Sequence, residues 1–312
     1  MPIERAHNGA VELAYETFGS PDGEPLLLIM GMGSQMVWWP DGFCEALAAR
    51  GFAVARFDNR DSGLSTHFPP QQPRNLFAVL FRRSREPSYT SVDMSQDAVC
   101  VMDALGWDSA HVLGASMGGM LAQLVASRHP QRVRTLTTLS SRPGRNAWTL
   151  LRHMNVRTVL RLMQSGRKSH GDEVHDAVEV MRIISPTGHS FDEQRARAIA
   201  EQAHSRRPAD PNAVQRHTDI GWPGDRLGDI RVPTLVLHGE QDPILRVSAA
   251  RSIAKGIPGA ELVTYPGMGH SILNDGLWSG ITAEIETFAK RHPRSGHRIT
   301  SGRPPRPTPP QA

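Results

Sequence analysis

Ser116, Asp242 and His270 are, in chain order, a nucleophile, an acid and a base, and side chains of these types can together run acyl transfer. A serine hydroxyl alone is a poor nucleophile. It needs an imidazole to take its proton and a carboxylate to hold that imidazole. Ser116 lies in Gly114-Ala115-Ser116-Met117-Gly118, after the apolar His111-Val112-Leu113. An Ala/Leu/Val-rich stretch follows from Met117 to His129 and stops before Pro130. These flanks predict a buried strand that hands over to a helix. A serine on so sharp a turn sits in a strained backbone with its hydroxyl exposed. Gly114 and Gly118 leave room for the reversal, and the helix N-terminus would face an anion developing on a substrate.

The acid and the base each follow a predicted strand. Thr234 to Gly239 reads as a buried strand, and Glu240-Gln241-Asp242-Pro243 as the loop after it. Leu262 to Tyr265 reads as another, followed by Pro266-Gly267-Met268-Gly269-His270. Glu240 competes with Asp242 for the acid role and Asp225 is a more distant rival; Asp242 directly precedes a proline in the loop. His238 is the rival base, but its place at a strand end before Gly239 suits a structural role. An oxyanion needs donors as well. Leu26 to Met30 is a strand that turns out through Gly31-Met32-Gly33-Ser34. The backbone N–H groups of Met32 and of Met117, the residue after the nucleophile, are the candidate donors.

Several elements must position these groups. Strands are expected near 3–6, 11–18, 25–30, 53–57, 110–114 and 133–139, with helices from Pro40 to Arg50 and Val92 to Leu105. Strands alternating with helices predict an α/β fold whose mostly parallel sheet is wound on both faces. The rhythm breaks between Ser141 and His217, where 13 Lys/Arg stand against 8 Asp/Glu. Helices are expected there at Asn146–Gln164, Asp172–Ile184 and Asp192–His204. After Thr234 the alternation resumes, with helices at Val247–Ile257 and Leu277–Arg291.

With its elbow, acid loop, histidine loop and oxyanion strand, the chain resembles the α/β-hydrolase superfamily over roughly residues 10–290. The resemblance implies a core of residues 1–141 and 218–291, and a helical cap inserted at 142–217. It also supports Asp242, which matches the family's acid position. The alternative acid site of some relatives reads Ser140-Ser141-Arg142 here, with no carboxylate. Two stretches depart from the common pattern. Many members carry His-Gly where this chain has Met30-Gly31, and Arg-Gly-x-Gly-x-Ser where it has Asp58 to Ser65. Those variants, with Trp39-Pro40-Asp41-Gly42-Phe43, resemble the aclacinomycin methylesterase branch. That likeness implies a serine esterase acting on a methyl ester of a polyketide or aromatic acid. Lactone hydrolysis, perhydrolysis, carbon–carbon bond hydrolysis and a non-catalytic receptor are the alternatives on this fold. Serine at 116 argues against the dehalogenases and epoxide hydrolases, whose nucleophile is a carboxylate.

The resemblance implies a small-molecule ester as partner and no cofactor, and composition offers no rival to it. The net charge is +4, yet residues 290–312 carry six basic side chains and no acid, leaving the first 289 residues at −2. The basicity therefore belongs to a Pro-rich tail, expected from 292 to be disordered, and not to a nucleic-acid-binding face. No run approaches the ~20 apolar residues of a membrane span. Cys44 and Cys100, both in predicted helices, are expected to be reduced thiols of a cytoplasmic protein. Asp58, Arg60 and Asp61 read as a loop-bracing ion network. His170 and His175 are five apart and would not share a helix face, so no zinc is expected. Gly31-Met32-Gly33 lacks the third glycine of a dinucleotide fingerprint, Met36 standing in its place. Trp38, Trp39, Trp148, Trp222 and Met268 are candidates for an apolar substrate pocket.

Overall fold

The computed structural model describes residues 2–69, 87–144, 152–167, 171–186, 191–210 and 212–293. Its centre is an eight-stranded sheet of β1 (Glu4–Asn8), β2 (Val11–Phe18), β3 (Glu24–Ile29), β4 (Phe52–Phe57), β5 (Ala110–Ala115), β6 (Val133–Leu139), β7 (Thr234–Gly239) and β8 (Glu261–Tyr265). The order across the sheet is β1-β2-β4-β3-β5-β6-β7-β8. β1 and β2 pair antiparallel and β2 meets β4 antiparallel; every later pairing is parallel. Every residue of β4 and β7 is buried, as continuous apolar strands covered on both faces should be.

Helices α1 (Asp41–Ala48) and α9 (Trp278–Arg291) cover one face; α2 (Ser91–Ala104), α3 (Met117–Arg128) and α8 (Val247–Gly256) cover the other. Phe43, Leu47, Ile285 and Phe288 fill the first interior, and Met102, Leu121, Val125 and Ile253 the second. Cys44 on α1 and Cys100 on α2 are free thiols. Parallel register sets the chemistry's address. Ile29 pairs with Gly114, Ala115 with Leu139, Leu139 with Leu237, and Gly239 with Tyr265. The loops after β3, β5, β7 and β8 therefore leave the sheet along one edge, its carboxyl side, where open α/β sheets bind ligands.

Between β6 and β7 the described residues form α4 (Val156–Arg167), α5 (Glu173–Ile184), α6 (Glu193–Arg206) and α7 (Ala213–Asp219). Val178, Met181, Ile184 and Ile199 of α5 and α6 pack with Val37 and Leu273 as a separate apolar cluster. Two expectations need correction. The helix expected over Asn146–Gln164 is interrupted at Met154, which bridges to Leu245, and Asn155 begins α4 by accepting the Arg157 N–H on its side chain. Pairing with the 244–246 loop outcompetes helix propensity there. α7 was not foreseen, and the boundary expected at 217 runs through it. Its seven residues carry too little apolar periodicity to read. Residues 145–151 and the tail from 294 lie outside the described residues. Among the described residues no helix is long and apolar enough to cross a membrane.

Candidate active site

Ser116 joins β5 to α3 at φ 53°, ψ −117°, a conformation that surrounding structure must impose on a residue with a side chain. Its N–H donates to the Leu139 carbonyl of β6 at 2.9 Å. Its carbonyl accepts the Gly119 and Met120 N–H groups and, at 2.7 Å, the Ser141 hydroxyl. A Cβ on Gly118 would sit on the Ile29 carbonyl, and one on Gly114 on the Gly118 carbonyl. Glycine at both positions is what lets the chain reverse.

His270 Nε2 stands 3.0 Å from Ser116 Oγ, and its Nδ1 stands 2.7 Å from Asp242 Oδ2. A carboxylate can only accept, so Nδ1 carries the ring proton and Nε2 is free to receive the serine proton. The other Asp242 oxygen accepts the N–H groups of Ile244 (2.8 Å) and Leu245 (2.9 Å). The Asp242 side chain is wholly buried and the His270 side chain is 9% exposed, so water screens this pair little. The 270 loop is also gripped from the inserted helices: the His270 N–H donates to the Ile184 carbonyl at the end of α5, at 3.0 Å.

The rival residues are employed elsewhere. Glu240 accepts the Thr264 hydroxyl at the surface, at 2.7 Å, and Asp225 pairs with Arg128 at 2.9 Å. His238 donates from Nε2 to the Leu245 carbonyl at 2.9 Å, which steadies the loop whose N–H groups hold Asp242. Burial pushes its pKa below the ordinary histidine value, so it is neutral there. Asp58 meets Arg206 of α6, Arg60 meets Asp97 of α2, and Asp61 meets Arg216 of α7. The bracing network thus ties the 58–61 loop to the inserted helices. Asp61, His67 and Asp210 converge as a metal site might, but Arg216 bridges the two carboxylates and supplies the positive charge. His170 lies outside the described residues.

Met32 and Met117 flank Ser116. Met117 is the first residue of α3, so its N–H has no acceptor within the helix. Gly31 faces Ser116, a Cβ built there falling 3.9 Å from Ser116 Oγ, and Met32 follows it in the same turn. The pocket expectations fare less evenly. Trp38 is half-buried between the core under α1 and the cluster of inserted helices. Trp39 and Met268 are corrections: both are buried in the core under α1, Trp39 stacked on Phe43 at 5.7 Å. The large apolar area of each gains more from core burial than from a ligand-facing position. Trp222 lines a crevice with Met120, Gln123 and Leu227, in which Ser116, Asp242 and His270 take no part. Trp148 lies outside the described residues. Sequence reading missed Asn59, Ser141 and His217, which touch the elbow and the 30–33 turn through long-range contacts that no local motif encodes.

The family model described as alpha/beta hydrolase fold matches residues 24–277. The rhodomycin D methylesterase DauP of Streptomyces sp. strain C5 is 30% identical over 294 residues, covering 87% of this chain and 93% of its own. RutD of Azorhizobium caulinodans, named for carbamate hydrolysis, is 29% identical over 287 residues, with 90% and 94% covered. A hydrolase from Pseudomonas aeruginosa PA01 superposes with a TM-score of 0.68 at 24% identity, over 92% of this chain and 97% of that one. A serine-bearing elbow on the central parallel strands, a match over most of the length and methylesterase relatives agree: the chain belongs to the α/β-hydrolase fold family.

Proposed function

We propose that this hydrolase cleaves a carboxylic ester, a methyl ester of a bulky aromatic or polycyclic acid, through an acyl-serine intermediate. The carrying observation is the continuous line Asp242–His270–Ser116, at 2.7 and 3.0 Å. His270 takes the Ser116 proton as Oγ attacks the ester carbonyl, and Asp242 stabilises the imidazolium that forms. The N–H groups of Met32 and Met117 receive the oxyanion; losing one such donor typically costs about 3–4 kcal/mol. His270 then returns the proton to the departing alkoxide, and methanol leaves. A water activated by the same imidazole releases the acid.

The substrate class rests on the methylesterase relatives and on the sequence stretches shared with that branch. Helices α4 to α7 act as the cap that receives the acyl body, where apolar burial contributes about 25 cal/mol per Å². Two free cysteines on opposite faces of the sheet fit a reducing, cytoplasmic setting. The test compares kcat/KM for methyl esters of polycyclic acids, p-nitrophenyl acetate, long-chain triglycerides and aryl carbamates, with Ser116→Ala as the control. Methyl esters should be the best substrates, and the variant should be inactive and unlabelled by a fluorophosphonate. A tenfold preference for acetates, triglycerides or carbamates would remove the methylesterase reading. An active or fully labelled alanine variant would remove the nucleophile.

A further inference from the structure

α7 lies against the turn that carries the oxyanion donor, and touches it with one face. Val214, His217 and Thr218 are spaced i, i+3, i+4 and so project together. A Cβ on Gly33, whose φ is +64°, would strike Val214, and the Thr218 hydroxyl lies 3.7 Å from Met32 Sδ. The third contact is the directional one. Gly33 N–H donates to His217 Nδ1 at 3.0 Å, while His217 Nε2 lies 2.8 Å from the Arg60 carbonyl. An N–H can only donate and a carbonyl can only accept, so the ring must be neutral with its proton on Nε2. His217 is 1% exposed, and burial holds its pKa below the ordinary value, in keeping with that state.

The rest of the turn is pinned from the other side. Asn59 Nδ2 donates to the Met30 carbonyl at 3.0 Å, and the Met36 N–H donates to Asp58 at 2.6 Å. α7 itself is fixed in register by Arg216, which forks onto Asp61 at 2.7 and 2.8 Å and also reaches Asp210. Between Met30 and Met36 the exposed link is therefore Met32-Gly33, and the imidazole of His217 is the group that fastens it to the 58–61 loop.

We infer that His217 is a positioning residue for ester cleavage: its neutral ring orients the Met32-Gly33 turn so that the Met32 N–H points at the oxyanion. The inference rests on the reading of Met32 as an oxyanion donor given above. It also makes α7, an element of the inserted segment, a part of the catalytic geometry and not only of the substrate enclosure.

Two substitutions separate the ring's two hydrogen bonds. His217→Gln keeps a donor at the far end for Arg60 but offers no acceptor where Nδ1 stood. His217→Asn keeps an acceptor near Nδ1 for Gly33 and loses the donor. Both are assayed on p-nitrophenyl butyrate, with rates normalised to active sites titrated by a fluorophosphonate, so that unfolded protein does not count. The Gln variant should lose kcat by about tenfold or more, as small misplacements of reacting groups do, with KM within about twofold. Its affinity for an aryl trifluoromethyl ketone, which captures the oxyanion, should fall in parallel, and the Asn variant should stay within about threefold of the parent on both measures. A Gln variant with parental kcat overturns the inference. So does an equal loss of kcat in both variants, or a loss confined to KM. A parent protein that hydrolyses no ester, or a Ser116→Ala variant as active as the parent, would instead overturn the function on which it rests.

Discussion

Glu240 and Asp242 stand two residues apart on one loop, and their side chains take opposite directions. Asp242 turns inward to His270 and to two backbone N–H groups, whereas Glu240 turns out to the Thr264 hydroxyl. An orienting carboxylate acts by holding the imidazole tautomer, so removing its charge while keeping its shape should damage turnover far more than folding. Asp242→Asn is expected to lower kcat on the order of 10⁴-fold, the size seen in a comparable triad. Glu240→Gln should stay within about threefold, since an exposed hydrogen bond contributes little to stability. Matched steady-state kinetics decide between them, and the opposite ranking would move the role to Glu240. The sequence could nominate Asp242 by its proline neighbour, but could not show that Glu240 already has a surface partner.

At the scale of elements, the joints between the inserted helices and the sheet loops are close fits. α5 ends at Ile184, whose carbonyl accepts the His270 N–H, and Pro186 lies directly over Gly269. A Cβ at 269 would fall 2.7 Å from Pro186 N and 2.9 Å from the Ile184 carbonyl. Both obstacles are held by backbone, so neither side can yield cheaply. Gly269→Ala should therefore displace the His270 loop, lowering kcat by about tenfold or more. Overpacking of this kind costs about 1–3 kcal/mol, which a thermal melt would read as a drop of several degrees. Unchanged kcat would mean that α5 does not set the position of the histidine. The same logic explains the break at Met154 in the expected 146–164 helix. Asn155 donates its N–H to the Ile244 carbonyl, and Arg246 donates to His153, so this strap braces the acid loop instead of extending a helix.

At the scale of the whole molecule, one buried histidine predicts a pH dependence of stability that composition does not announce. His111, on the central strand β5, is buried with its Nδ1 2.8 Å from the Thr135 hydroxyl. Burial, with Arg134 adding to it, pushes its pKa from 6.5 down to about 4. Below about pH 6.5 the unfolded chain takes up a proton that the native fold refuses until about pH 4. Stability from this group is therefore complete above pH 6.5 and is lost as the pH falls through that window. Each unit is worth about 1.4 kcal/mol, so the loss between pH 7 and pH 5 should be about 2 kcal/mol. Urea unfolding at the two pH values measures it, and His111→Asn, which cannot titrate, should show a smaller difference. An equal difference in the variant would place the pH dependence in other groups.

Local signals were enough for the parts of this protein that are written in local chemistry. The Gly-Ala-Ser-Met-Gly elbow, the alternation of strands and helices, the apolar run of β7 and the order Ser116, Asp242, His270 are legible because each depends on neighbours within a few residues. From them follow the parallel sheet and the edge on which its loops gather. Tertiary structure decided what depends on residues far apart in the chain. It sent Trp39 and Met268 into the core and turned Asp242 toward His270 while Glu240 faces Thr264. It brought His217 to a turn 184 residues away. Such contacts arise when whole elements pack, and a single side chain's type does not reveal which distant backbone group it will meet. α7 is the clearest case: seven mostly polar residues carry no period that predicts a helix, and Arg216 and His217 hold it in place through Asp61, Asp210, Gly33 and Arg60.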